Sequence, residues 1–246
     1  MLKRLAHTSS MVAVAVAASL WSTPAQAQGD RPWALSFGLG SDTAVAGDAH
    51  GGGSGRVLNL PTSVVAKSYR GIFGPGFDWS AGIGYYVRPQ GEIRVSGGYT
   101  SNPSERKEVG TVAGLPLFAR FEDYKAFNMN VGYRQYMGTR SLRPFVGGSV
   151  GFTRLEAIRS TLTVPAAGVI LEDVGFYDSS TVPSFSLSGG TQFALTENVA
   201  VHGGIDFTWH GDLKQDEGLS GTGLESINDE SRRWAFPITA GVAFRF

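Results

Sequence analysis

Apolar residues alternate with small or polar residues along most of the chain after residue 32. The clearest case runs from Arg233 to Phe246, where alternate positions are apolar and the interleaved positions are mostly small or polar. Because successive side chains of a β-strand point to opposite faces, this period of two predicts a strand with one apolar face. Eight segments show the pattern, at residues 33–40, 77–88, 92–100, 127–134, 145–153, 184–193, 199–210 and 233–246.

The connections between these segments alternate in length. Short links lie near Pro89, Thr139 and Glu197, and long ones span residues 41–76, 101–124, 155–180 and 211–232. Short turns at one end and long loops at the other are typical of an up-and-down barrel that spans a membrane with an even number of strands. Segments of about 9–11 residues are long enough for a tilted spanning strand.

The character of the second face decides which face points outward. The same alternation fits a soluble eight-stranded barrel whose apolar face points inward. The second face would then meet water and be rich in charged residues. It is instead rich in Gly and Ser, as at residues 147–151 and 184–190. Small residues suit the inside of a narrow barrel, so we expect the apolar face to contact lipid.

Large aromatic residues of the apolar face lie near the strand ends. Two aromatic girdles at the two interfaces are typical of membrane barrels. The residues predicted to form them are Trp33, Trp79, Tyr85, Tyr99, Tyr133, Trp209 and Trp234. The fold class that follows is all-β, an eight-stranded antiparallel up-and-down transmembrane β-barrel.

The first 27 residues have the three parts of a secretory signal. Lys3 and Arg4 are basic, Met11–Trp21 is a short apolar run, and Ala25-Gln26-Ala27 is a cleavage site. This order predicts a cleaved signal peptide at residues 1–27, followed by one barrel domain at residues 28–246. The apolar run is shorter than the roughly 20 residues that a membrane-spanning helix needs.

Composition excludes several kinds of chemistry. There is no cysteine, so neither disulfides nor thiol chemistry are expected. Removing Lys3 and Arg4 from 21 basic residues leaves 19 against 21 acidic ones, a net charge of −2 that gives no indication of nucleic-acid binding. Charged residues make up 17% of the chain, which is low for a soluble domain.

With its terminal Phe after alternating apolar residues, the chain resembles the OmpA/OmpX-type family of small eight-stranded outer-membrane barrels. The resemblance implies a bacterial outer-membrane location, with both termini in the periplasm and the long loops outside. Phe244 and Phe246 would form the signal read by the barrel-assembly machinery. Outer-membrane lipid and lipopolysaccharide would be the other partners. Because the last strand runs to residue 246, we expect no peptidoglycan-binding domain after it.

Several charged residues fall on the face that should line the lumen. We expect Arg88, Glu92, Arg94, Arg134 and Arg245 near the turn end, with His202 and Asp206 farther from it. Buried charges need partners, and the interior of an eight-stranded barrel is normally filled. The first interpretation is therefore a polar network that plugs the lumen. The alternative is a small gated pore or an anion site, because arginines outnumber acids there.

An enzyme is the less favoured alternative. Lipid A deacylase and palmitoyltransferase barrels of similar architecture carry a His with a Ser and an acid at the outer membrane face. The nearest set here is His210 with Asp212 and Ser231, and it lacks the deacylase His-x-Ser arrangement. The acidic loop at residues 211–232 matches no calcium-loop spacing. No catalytic residue, metal or cofactor is therefore predicted.

The long loops are the expected functional surface, because loops on a rigid scaffold often carry function. The stretch 51–55 is glycine-rich and is expected to be flexible, whereas residues 56–69 and 169–171 are apolar enough for hairpins that extend the barrel wall. The predicted function is envelope support or contact with a host or matrix ligand through these loops, without catalysis.

Overall fold

The computed structural model describes residues 32–138, 141–228 and 231–246, so the predicted signal peptide lies outside the described residues. The strands in chain order are β1 (Trp33–Asp42), β2 (Ala44–Ala46), β3 (Asp48–His50), β4 (Gly53–Val57), β5 (Leu60–Val64), β6 (Lys67–Ser68), β7 (Gly76–Arg88), β8 (Gly91–Asn102), β9 (Lys107–Val112), β10 (Leu115–Phe121), β11 (Tyr124–Tyr136), β12 (Leu142–Leu155), β13 (Ile158–Val164), β14 (Val169–Tyr177), β15 (Ser180–Ala194), β16 (Val199–His210), β17 (Arg233–Ala235) and β18 (Ile238–Arg245). One α-helix, α1 (Tyr69–Ile72), and three 3₁₀ turns (Pro165–Ala167, Glu217–Leu219 and Glu225–Asn228) complete the elements. None of the helices in this described part of the chain has the length and apolar character that a membrane crossing needs.

The predicted eight-stranded antiparallel barrel is confirmed. Its ring runs β1, β7, β8, β11, β12, β15, β16 and β18, and each strand pairs with the next. The ring closes where β1 meets β18, with Ala34 opposite Arg245. At the end of this seam, the Phe246 amide donates to the Trp33 carbonyl at 3.0 Å. The observed strands extend beyond several predicted ends, as in β12, which begins at Leu142 and ends at Leu155.

The last predicted strand is interrupted at Pro237, which separates β17 from β18. Proline has no amide hydrogen to donate to a sheet, so the ladder cannot be continuous there. The backbone bonds on either side keep the wall closed. The Phe236 amide donates to the Thr43 carbonyl and the Asp206 amide donates to the Pro237 carbonyl, each at 2.9 Å.

The apolar face of the barrel points outward and the small, polar face points into the lumen. Outward side chains such as Phe37, Val150 and Ile205 are 47–58% exposed, whereas the inward Ser36 and Ser184 are 3% and 5% exposed. This is the arrangement that a lipid-facing wall requires.

The long connections fold into a second structure on top of the barrel. We call it the loop-end unit and define it as residues 43–75, 103–123, 156–179 and 211–228 with 231–232. Its main sheet has six strands in the order β14, β13, β10, β9, β5, β4. The predicted hairpins near residues 56–69 and 169–171 are present as β4–β5 and β13–β14.

The polarity of the two faces reverses where the barrel meets the loop-end unit. On β12, Phe152 points outward and is 43% exposed, while Leu155 points inward and is 1% exposed. Arg154, next to Leu155, is exposed on the outside. The unit thus has an apolar interior, to which the ends of the barrel strands contribute Tyr124, Ala126, Leu155 and Val182. The unit itself contributes Ala44, Ala49, Tyr69, Ile72, Phe73, Val109, Val112, Leu117, Ala119, Phe121, Ile158, Val164, Phe176, Tyr177, Leu213, Leu219, Leu224 and Ile227. A water-facing outer wall with an apolar centre is the pattern of a soluble domain.

The last loop, residues 211–228 with 231–232, closes the gap between the two edges of the six-stranded sheet. On one side, the Asp178 amide donates to the Lys214 carbonyl at 2.9 Å. On the other side, the Arg56 amide donates to the Thr222 carbonyl at 2.6 Å. An unpaired strand edge is a site for unwanted association, and this loop covers both edges.

The glycine-rich stretch 51–55 was expected to be flexible, and this expectation is wrong, because Gly53–Val57 forms β4. The glycines instead permit close packing of the last loop against this strand. A Cβ atom added to Gly55 would lie 2.2 Å from the Thr222 carbonyl oxygen, so only glycine permits the last loop to approach this closely.

We predict that Gly55→Val displaces the last loop without unfolding the barrel. The added side chain has no room beside Thr222, and overpacking of this kind costs about 1–3 kcal/mol. Limited proteolysis of the refolded protein should then cleave within residues 211–228, while the closed barrel keeps its compact migration on a gel. Ser54→Val is the matched control, since Ser54 is exposed on the same strand. Equal cleavage of the two variants would contradict the packing described.

Candidate functional site

The lumen is a polar cavity of about 150 Å³. Its wall is made mainly of small hydroxyl and amide side chains that bond to each other across strands. Ser184 Oγ donates to Asn130 Oδ1 at 3.1 Å, and Thr100 Oγ1 donates to Asp78 Oδ2 at 2.6 Å. These cross-strand bonds satisfy polar groups that the barrel removes from bulk water.

A layer of aromatic and charged side chains occupies the turn end of the lumen. We call it the turn-end layer and define it as Tyr86, Glu92, Tyr136, Arg143 and Arg245. Tyr136 Oη donates to Glu92 Oε2 at 2.6 Å, and Arg245 Nη2 donates to Tyr86 Oη at 2.7 Å. The Arg143 guanidinium carbon lies 4.3 Å from the centre of the Tyr136 ring. Glu92 and Arg143 are 3% and 2% exposed, so this layer closes the turn end.

The structure brings Glu92 and Arg245 together as expected, but it adds residues that sequence reasoning missed. Tyr86, Tyr136 and Arg143 share the inward face with them. The signal that could have found Arg143 is its parity with Phe145, Gly147 and Ser149 on β12, since the predicted strand begins at Phe145, three residues after the observed start at Leu142.

Arg94, Arg134, His202 and Asp206 line the middle of the cavity. The Arg134 guanidinium carbon lies 4.0 Å from the centre of the Phe145 ring. Within the described ranges, no ion pair of 4.0 Å or less joins either arginine to Asp206. The five ion pairs found are Lys107–Glu105, Arg159–Asp173, Lys214–Asp178, Arg232–Asp212 and Arg233–Asp42.

Arg88 lies outside the lumen, contrary to the expectation. The register shifts between Tyr86 and Arg88, so that Arg88 pairs with Gly91 instead of continuing the inward series. A β-bulge of this kind adds one residue to a strand and moves the following side chain to the other face. Arg88 Nη2 donates to Tyr133 Oη at 2.7 Å on the exposed outer surface.

A second charged layer lies at the loop end of the lumen. We call it the loop-end layer and define it as Asp42, Asn102, Tyr124 and Arg233. Arg233 is paired with Asp42, and both side chains are 4% exposed or less. Arg233 Nη2 also donates to Asn102 Oδ1 at 3.3 Å, and its guanidinium carbon lies 4.3 Å from the centre of the Tyr124 ring. Sequence reasoning missed this layer because Asp42 was assigned to a loop.

The apolar interior of the loop-end unit lies directly above this layer. Tyr124 packs edge-on against Phe73 at 5.9 Å between ring centres, and Phe121 packs against Phe176 at 4.8 Å. His50 is 1% exposed among these rings, and its Nδ1 donates to the Gly51 carbonyl at 2.9 Å. Burial lowers the pKa of the His50 imidazole, which favours the neutral ring. The loop end of the lumen is therefore covered by packed aromatic side chains.

Of the residues of the catalytic alternative, Ser231 and Asp212 are in contact through the Ser231 amide, which donates to Asp212 Oδ1 at 3.2 Å, while their remaining bonds go to other residues. The Ser231 hydroxyl accepts a hydrogen bond from the Leu213 amide at 2.6 Å, and Asp212 Oδ2 pairs with Arg232 Nε at 3.2 Å. His210 Nδ1 lies 3.0 Å from Thr153 Oγ1. The parts of the chain that the structure describes contain no group of three His, Asp or Glu side chains able to hold a metal. Of the acidic residues in the last loop, Asp229 and Glu230 lie outside the described residues.

The aromatic residues predicted for the girdles lie on the outer wall. Trp33 and Tyr85 are in edge contact at 4.9 Å between ring centres, at the turn end. Trp79 pairs with Tyr99 near the loop end, and Trp209 contacts Trp234 there at 6.5 Å. Tyr133 lies beside Arg88 at the turn end. The outward Phe244 and Phe246 are 43% and 60% exposed.

Comparison with known proteins gives the family. Residues 13–246 match the family described as the outer membrane protein beta-barrel domain. The chain belongs to this family. Its place is the bacterial outer membrane. No curated protein matches the chain.

Solved structures with a similar fold include the following three. Neisserial surface protein A is 14% identical over 87% of this chain and 96% of its own, with a TM-score of 0.45. The N-terminal barrel domain of Pseudomonas aeruginosa OprF is 14% identical over 88% and 98%, with a TM-score of 0.42. The attachment invasion locus protein Ail of Yersinia pestis is 12% identical over 87% and 99%, with a TM-score of 0.42.

We predict that Asp42→Ala strongly destabilises the protein. Removing one member of a buried ion pair leaves an uncompensated charge and typically costs about 3–5 kcal/mol. Chemical denaturation of the refolded protein in detergent, followed by tryptophan fluorescence, would measure the loss. Asp178→Ala is the control, because the Asp178–Lys214 pair is exposed to solvent and its loss should have little effect. Similar losses in the two variants would contradict a structural role for the loop-end layer.

Proposed function

We propose that this protein is a non-catalytic outer-membrane barrel whose loop-end unit is a rigid recognition surface outside the cell. In this arrangement both termini lie in the periplasm and the unit faces a host or matrix ligand. The apolar interior of the loop-end unit is the observation that supports the proposal most strongly. It covers the lumen and also fixes the shape of the surface that a ligand would meet.

The exposed tips of the loop-end unit offer apolar contact sites. The hairpin tips are at Leu58–Asn59, Ala113–Gly114 and the turn Pro165–Ala167, and the first two contain residues with positive φ, which makes them tight. Leu58 and Ile170 are 63% and 62% exposed. A ligand that covered these side chains would gain roughly 25 cal/mol for each Å² of apolar area removed from water.

Two features argue against the alternative of a pore for small solutes. The turn-end layer fills one mouth of the lumen and the packed rings of the loop-end unit cover the other. The Ser231 hydroxyl is bonded to the Leu213 amide and the His210 ring to the Thr153 hydroxyl, which argues against a lipid-modifying enzyme. Unchanged lipid A mass spectra in cells that overproduce the protein are expected if catalysis is absent.

We predict that the double variant Leu58→Ser, Ile170→Ser reduces adhesion of producing bacteria to cultured epithelial cells several-fold, because it removes the two most exposed large apolar side chains of the loop-end unit. An epitope inserted after Gly114, where an added side chain meets no atom within 4 Å, would report surface display on intact cells. The matched control is Thr181→Ser, an exposed change on β15. If bacteria that display the epitope-tagged but otherwise unaltered protein adhere no better than bacteria lacking the protein, the recognition role is overturned for this cell type. An epitope detected only after permeabilisation would overturn the orientation.

We further predict that liposomes containing the refolded protein leak no more small ions than protein-free liposomes. Because the lumen is closed at both ends, replacing Tyr86 and Tyr136 together with Ala should open the turn end alone and still give no flux. A steady single-channel current from the unaltered protein would favour the pore. A current from the Tyr variant alone would mean that the loop-end unit does not seal the lumen.

A further inference from the structure

We infer that the middle of the lumen is a binding site for a small inorganic anion, held between Arg94 and Arg134. The starting observation is that both guanidinium groups face the enclosed cavity. Among the residues that the structure describes, Arg94 has no hydrogen bond or ion pair, and the polar neighbour of Arg134 is the Tyr136 hydroxyl. Two half-buried guanidinium groups inside the barrel therefore present unused N–H donors to the same space.

The charges around the cavity leave this region positive. In the middle and turn-end layers, four arginines face two carboxylates, and His202 is the remaining titratable side chain besides the tyrosines. These groups are Arg94, Arg134, Arg143, Arg245, Glu92 and Asp206. The charges at the opposite end, Asp42, Asp78 and Arg233, include the closed Asp42–Arg233 pair. The positive excess is thus concentrated around Arg94 and Arg134, and an uncompensated buried charge is costly.

The carboxylates present cannot fully satisfy the two arginines. Glu92 already accepts a short hydrogen bond from Tyr136 within the turn-end layer. Asp206 acts electrostatically on both arginines without making a direct ion pair with either. An anion between the guanidinium groups would balance the excess and occupy their donors.

The size and lining of the cavity restrict the ligand. Its volume of about 150 Å³ is enough for several water molecules, or for a small anion with part of its hydration shell. Ser96, Ser149 and Ser188 supply further hydroxyl donors. Chloride or inorganic phosphate fits this chemistry, whereas the closed ends exclude a large organic anion.

The test is the thermal stability of the full mature chain, refolded in detergent at constant ionic strength in chloride, in phosphate or in gluconate. A ligand that binds only the folded state raises its stability by mass action. At a tenfold excess over its dissociation constant, chloride or phosphate should raise the unfolding midpoint by on the order of 3–6 °C relative to gluconate. Comparing chloride with phosphate identifies which anion is preferred.

Two variants with opposite expected effects make the assignment specific. Arg94→Gln should abolish the difference between anions, while Asp206→Asn should enlarge it, because the site becomes more positive. Arg154→Gln, an exposed change on the outer wall, should leave the difference as it is. Bromide-soaked crystals should show anomalous density between Arg94 and Arg134.

Equal midpoints in all three anions, or an anion effect that Asp206→Asn leaves unchanged, would overturn the inference. The Asp206→Asn comparison remains decisive if Arg94→Gln does not fold. An anion effect lost in Arg154→Gln would place the ion on the outer surface and overturn the inference as well.

Discussion

The structure depends on one constraint, which is that backbone amides and carbonyls inside hydrocarbon must be hydrogen-bonded by the protein itself. A sheet meets this requirement only when it has no edge. The pairing of β1 with β18 removes the edge, and the interruption at Pro237 is tolerated because Phe236 and Asp206 keep neighbouring backbone bonds. Once the ring is closed, the period of two along each strand assigns every side chain either to lipid or to the lumen.

The same strands then pass from lipid into water, and the polarity of their two faces changes accordingly. Below the boundary the outer face is apolar and the inside is small and polar; above it the outer face is polar and the inside is apolar. The turn-end layer and the loop-end layer occupy the two ends of the polar lumen. Their charges are buried, so their contribution to the stability of the fold depends on the partners that satisfy them. The Asp42–Arg233 pair is the clearest case.

The period of two was sufficient to predict the eight strands, the alternation of turns and loops, and the face that meets lipid. It was not sufficient for features that depend on register or on distant contacts. The bulge before Arg88 moves this residue to the other face of the strand, and no local sequence pattern predicts it. Ile72, Phe121 and Phe176 belong to the interior of the loop-end unit, but each lies in a separate loop. Their common interior exists only because the barrel brings those loops together. Arg143 was missed because the predicted strand started too late.

The last loop, residues 211–228 with 231–232, has a consequence for the order of events during biogenesis. It seals the six-stranded sheet, and the strand that follows it seals the barrel. The barrel and the six-stranded sheet thus both remain open until the last part of the polypeptide has been synthesised and delivered. Folding of the barrel and of the loop-end unit is consequently completed only after translation. Until then each has two strand edges with unpaired hydrogen-bonding groups, so an exported chain has to be kept apart from other chains in transit.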